Sequence, residues 1–86
     1  MFYDYAELED GTQIAYSGVL ADNTVEVVAE RPIEFGFDSA RCVLPAYTWS
    51  KVEGFSDADI KRLDSFVGNN APLILRFAHE VSKNYA

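Results

Sequence analysis

Phe2-Tyr3-Asp4-Tyr5-Ala6-Glu7-Leu8-Glu9, then Asp10-Gly11, then Thr12-Gln13-Ile14-Ala15-Tyr16-Ser17 is the stretch whose reading sets the fold class. Asp-Gly between two alternating runs is the strongest short hairpin signal, because both central residues of a type I′ turn take positive φ. The chain therefore opens as antiparallel β. A looser turn at Ala21-Asp22-Asn23 leads to Thr24-Val25-Glu26-Val27-Val28-Ala29-Glu30, rich in β-branched residues that suit a pleated surface. Pro32 donates no ladder hydrogen bond and marks a strand end, edge or bulge. The expected strands are 2–9, 12–17, 24–30, 33–37 and 40–44, the last ended by Pro45. Residues 46–55 read as a connector whose Tyr47, Trp49 and Val52 seal the edge of the core.

Beyond residue 55 the pattern turns helical. Ser56 is a good N-cap, Asp57 and Asp59 suit the positive end of the helix dipole, and Asp59 occupies the capping-box position. Phe55 and Ile60 stand where a hydrophobic staple would, and Ile60, Leu63 and Val67 form an i, i+3, i+7 stripe. Gly68 reads as a stop, and Asn70 with Pro72 as the start of a second helix whose apolar face includes Leu73, Ile74, Phe77, Ala78, Val81 and Tyr85. Helices are expected over 57–67 and 71–84. No internal repeat, linker or low-complexity stretch is evident.

The expected fold is α+β: a four- to five-stranded, mainly antiparallel sheet with a C-terminal αα-hairpin packed on one face. Strand alternation then sorts side chains. Ala6 and Leu8 point inward, with Tyr3, Tyr5, Glu7 and Glu9 outward; Val25, Val27 and Ala29 inward, with Glu26, Val28 and Glu30 outward. Ile33, Phe35 and Phe37 are expected inside, and Glu34 and Asp38 outside.

Length and composition bound the function. Eighty-six residues, 49% hydrophobic and 24% charged, describe one globular domain. Seven basic against 14 acidic residues give a net charge of −7, which disfavours direct binding to phosphate backbones. The excess is uneven: residues 1–43 hold nine acids against Arg31 and Arg41, while residues 44–86 are balanced. With one cysteine, Cys42, no internal disulfide can form, and a chain this small without disulfides suggests a reducing cytoplasm. The N-terminus shows no signal-peptide pattern, and the longest uncharged apolar run, Ala71 to Leu75, is too short to span a bilayer.

No cofactor or metal set is expected. Asp57-Ala58-Asp59 is explained by capping, and Glu7-Leu8-Glu9-Asp10 lies on a strand entering a turn, whereas calcium loops need oxygens spaced along a flexible loop. His79 has no obvious orienting acid or nucleophile, and Cys42 reads as a small buried hydrophobe. The helical segment after Asn70 offers only Arg76 and Lys83, so a DNA-reading helix is set aside. The candidate site is instead the acidic sheet face: Tyr3, Tyr5, Glu7, Glu9, Glu26, Val28, Glu30, Glu34 and Asp38. Two readings of it compete. A solvated surface would keep the domain soluble. A docking surface would meet a basic protein partner, such as a nucleic-acid-binding enzyme or a toxin, in the manner of an inhibitor or antitoxin that mimics nucleic acid. A structural subunit assembling through the apolar C-terminal helix with Leu75 is the alternative role, and a homodimer could form through that helix or an edge strand.

Overall fold

The computed structural model describes residues 1–83; the expectations for Asn84 and Tyr85 lie outside them. Five strands, β1 (Phe2–Glu7), β2 (Gln13–Ser17), β3 (Val25–Ile33), β4 (Gly36–Leu44) and β5 (Thr48–Glu53), are followed by one helix, α1 (Asp57–Lys83). All neighbours pair antiparallel in the order β1-β2-β3-β4-β5, so the sheet is a simple meander. Its inner face carries Ile14 and Tyr16, Val25, Val27 and Ala29, and Ala40, Cys42 and Leu44, all buried against Leu63, Val67, Ala71, Ile74 and Ala78 of α1.

The first two hairpins are built on the same loop. Gly11 N donates to Leu8 O at 3.0 Å and Asn23 N to Leu20 O at 2.9 Å, while Leu8 N reaches Thr12 O and Leu20 N reaches Thr24 O, both at 2.8 Å. Only the last loop residue takes positive φ, +88° at Gly11 and 66° at Asn23. These are three-residue loops closed by a left-handed residue, in place of the expected two-residue type I′ turn. Asp10 Oδ1 accepts from Thr12 N and Oγ1, and Asp22 Oδ1 accepts from Thr24 N and Oγ1. The motif Leu-x-Asp-(Gly/Asn)-Thr thus occurs twice, at 8–12 and 20–24. It is a short internal repeat of five residues, built on the turn chemistry of aspartate and threonine.

Residues 33–37 are not a strand: β3 runs through Pro32 to Ile33, turns at Glu34-Phe35, and returns as β4 from Gly36. Pro32 is tolerated because β2 pairs with β3 only as far as Glu30. One residue before the loop-closing pair Ile33–Gly36, the proline nitrogen faces the side that β2 has already left. The turn inverts the expected alternation. Asp38 lies on the helix side and is buried, whereas Phe35 and Phe37 are exposed; Ile33, before the turn, keeps the parity of Val27 and Ala29 but is exposed because β3 there has outrun its pairing with β2.

The stretch read as a connector contains β5, with Trp49 opposite Cys42 and its Nε1 donating to Asp64 at 2.9 Å. Tyr47 and Val52, expected to seal the core, are exposed.

In β1 a bulge places Asp4 and Tyr5 opposite Ala15 alone, so Tyr3, Tyr5 and Ala6 all reach the helix side. Tyr3 lies 5.6 Å from the Tyr16 ring, and Tyr5 packs between Phe66 and Phe77 with its hydroxyl donating to Asn70 Oδ1 at 2.7 Å.

The αα-hairpin is a single helix. Gly68 and Pro72 stand four residues apart on its exposed side, so the carbonyl that Pro72 leaves without a donor, that of Gly68, opens to solvent. Their combined propensity cost is about 4 kcal/mol relative to alanine. Opposite them, Val67, Ala71, Ile74 and Ala78 are fully buried. Burying a Val or Ile alone stabilises by about 1.5–3 kcal/mol, so the stripe outweighs the two breakers. Asn70 is no cap: its Nδ2 donates back to Phe66 O at 2.8 Å within the helix. The capping box at Ser56 does form, with Asp59 N donating to Ser56 Oγ at 3.1 Å and Ser56 N to Asp59 Oδ2 at 3.0 Å.

Candidate interaction surface

Two groups of acids stand in contrasting environments. On the helix side, Arg31 donates to Asp38 Oδ2 at 2.7 Å and to Asp10 Oδ2 at 3.1 Å, and its Nη2 lies 3.4 Å from Asp59 Oδ2. Arg62 joins from α1, paired with Asp59. The guanidinium of Arg31 also stacks on Phe55, 4.8 Å from the ring centre. Three acids from the first turn, the β3–β4 hairpin and the helix start are thereby tied to two arginines. The hydrogen bond from Ser56 N, then that from Arg62, holds the Asp59 carboxyl well below the usual carboxylate range. The hydrogen bonds from Thr12, with Arg31 behind them, lower the Asp10 carboxyl as well. The two arginines offset all but one of the three negative charges, and the cluster removes Asp38 from the candidate surface.

The outer face is different. Strand register aligns Glu7 of β1, Gln13 of β2, Glu30 of β3, Ser39 of β4 and Glu53 of β5 in one row across the sheet. Gln13 Nε2 donates to Glu7. Glu7, Glu30 and Glu53 are exposed, and among the described residues none of them has an ion-pair partner. Adjacent strands lie about 4.8 Å apart, so carboxylates on alternate strands are roughly 10 Å from one another.

The next row is Asp4, Ala15, Val28, Arg41 and Ser50. Arg41 pairs with Glu26 and lies 5.5 Å from the Phe2 ring centre, which neutralises that end of the face beside an open depression of ≈ 360 Å³.

Of the nine residues expected to form the site, Glu7, Glu26, Val28 and Glu30 are on this face, with Val28 almost wholly covered. Tyr3 and Tyr5 are on the helix side, Glu9 is in the first loop, Glu34 is in the β3–β4 turn, and Asp38 is in the arginine cluster. Sequence reasoning missed Glu53, because β5 was not recognised, and Asp4, because the bulge changes the parity of β1. The run Thr48-Trp49-Ser50-Lys51-Val52-Glu53 held the missed signal, a β-branched and aromatic segment after a proline.

Cys42 is fully buried on the inner face, and burial pushes its thiol up to about 11. His79 is exposed on α1, and among the described residues no group of three or more His, Cys, Asp or Glu could hold a metal ion. On α1, Leu75 packs against the core and Leu73 is the exposed large apolar residue. No helix among the described residues is long and apolar enough to cross a membrane. No family model, curated protein or solved structure matches the chain.

Proposed function

We propose that this chain is a non-enzymatic interaction module whose outer sheet face docks on a positively charged surface of another protein. The row Glu7–Gln13–Glu30–Ser39–Glu53 carries the reading. The fold ties Asp10, Asp38 and Asp59 to arginines on its helix side, whereas these three glutamates are exposed on the outer face with no ion pair among the described residues. Two carboxylates 10 Å apart in water repel by only about 0.4 kcal/mol, so the row costs the fold little. The same charges speed encounter with a cationic surface and set its orientation.

A narrower form of the proposal is an inhibitor occupying a nucleic-acid cleft. Duplex DNA offers a charge every ~1.7 Å of axis, against roughly 10 Å along this row. The net charge of −7 supports that form, and the spacing favours the broader one.

The test is an affinity pulldown from the native host with the wild type and the Glu7→Lys/Glu30→Lys/Glu53→Lys variant, each with a circular dichroism melt. The reversed protein should keep its fold and lose a partner that the wild type retains at low salt and releases as salt rises. Identical capture by both proteins would refute the proposal.

A further inference from the structure

Beyond its last ladder pairings with β2 at Glu30 and with β5 at Ser39, the β3–β4 hairpin continues without a strand on either side. This projecting finger bears Pro32, Ile33, Phe35 and Phe37, with Ile33 50%, Phe37 61% and Phe35 98% exposed. Phe35 holds the apex with φ 68°, a left-handed conformation that glycine or asparagine takes readily and an aromatic residue rarely does. A bulky apolar side chain is thus displayed at a site where the backbone favours glycine and where it makes no contribution to the core. The base of the finger is rigid. Arg31 and Asp38 face each other across it and are tied to Asp10 and Asp59, while Gly54 lies so close to Asp38 that a Cβ there would stand 1.9 Å from Oδ1.

We infer that this finger is an aromatic anchor that inserts Phe35 and Phe37 into an apolar pocket rimmed by Lys or Arg on the protein partner. The inference rests on the docking function for the sign of the partner's charge and adds the element that binds it. Glu34 sits within the tip, Glu30 and Glu53 lie just behind it on the outer face, and the one cation of the finger, Arg31, is engaged by three carboxylates. An anionic membrane would be repelled by those acids, and a second copy of this chain would bring the same charges to the contact. A cationic rim around an apolar centre complements both features. An aromatic anchor has only two side-chain torsions to fix on binding, and buried aromatic residues carry much of the energy of an interface.

The test uses three labelled 18-residue peptides followed by fluorescence anisotropy: an amphipathic Leu/Lys peptide, an all-Lys peptide and a Leu/Glu peptide. The wild type should bind the Leu/Lys peptide at least tenfold more tightly than the all-Lys peptide and should not bind the Leu/Glu peptide. Phe35→Gly should abolish the tenfold preference, leave all-Lys binding unchanged, and raise the melting temperature, because glycine relieves the positive φ. That rise separates a lost anchor from a lost fold.

Undiminished preference in Phe35→Gly, or none in the wild type, overturns the anchor. The docking face survives that result if Glu7→Lys/Glu30→Lys/Glu53→Lys still loses the all-Lys peptide, and falls if it does not. Phe35-dependent binding to anionic lipid vesicles, or a Phe35-dependent dimer in sedimentation, would also overturn the proposed partner chemistry.

Discussion

Replacing Gly68 with alanine distinguishes one continuous helix from two helices separated by a stop. Gly68 lies in the middle of α1 on its solvent side, and a Cβ built there meets no atom within 4 Å. Its φ is not in the left-handed region, unlike those of Gly11, Gly36 and Gly54. The substitution therefore adds a methyl group to open space and removes backbone freedom from the unfolded chain. Alanine is about 0.8–1.0 kcal/mol more favourable than glycine in a helix interior. For a domain of this size 1 kcal/mol corresponds to about 4–8 °C, so the melting temperature should rise by roughly 3–8 °C. Far-UV circular dichroism against temperature, with a urea titration to show an unchanged m value, measures it directly. A helix-terminating glycine would behave oppositely, since alanine would be forced into a left-handed conformation. A loss of half a kcal/mol or more would refute the continuous helix, and with it the account of how buried Val67, Ala71 and Ile74 override the breakers.

Gly54→Ala should do the reverse and cost at least about 2 kcal/mol, because φ is +87° and the new Cβ would collide with Asp38 and push it from Arg31; a chemical denaturation midpoint equal to wild type would discount the cluster as a structural clasp. Asp59 and Asp10 bind protons less readily in the folded state than in the unfolded one, whose carboxyls titrate near pH 4. These two groups should thus contribute a constant stability above about pH 5 that is lost as the pH drops below about 4, and Asp59→Asn should flatten that acid limb in denaturation midpoints measured against pH. Cys42 should resist thiol reagents in the native protein at pH 8 and react fully in guanidinium. Above pH 9 the unfolded thiol ionises while the folded one holds its proton to about 11, so stability should decline across that interval. Rapid native labelling would contradict the burial of β4.

Local chemistry made much of this protein legible from its residues alone. Asp10-Gly11 and Asp22-Asn23 announce reversals, the alternation of Val25, Val27 and Ala29 marks a buried strand face, and Ser56 with Asp59 starts a helix, because each depends on contacts within a few residues. The negative charge of the N-terminal half is likewise a property of composition.

The tertiary structure decided what depends on a partner element. Gly68 and Pro72 are breakers in isolation, and only burial of the opposite stripe under the sheet carries the helix past them. Alternation fails to place a side chain once a bulge in β1 or a turn at Glu34-Phe35 shifts the register by one, which sends Tyr5 and Asp38 inward and Phe35 and Phe37 out. A row of carboxylates drawn from three strands exists only after pairing aligns Glu7, Glu30 and Glu53, residues up to 46 positions apart in the chain. Side-chain period is a local rule, whereas register is set by which strands meet.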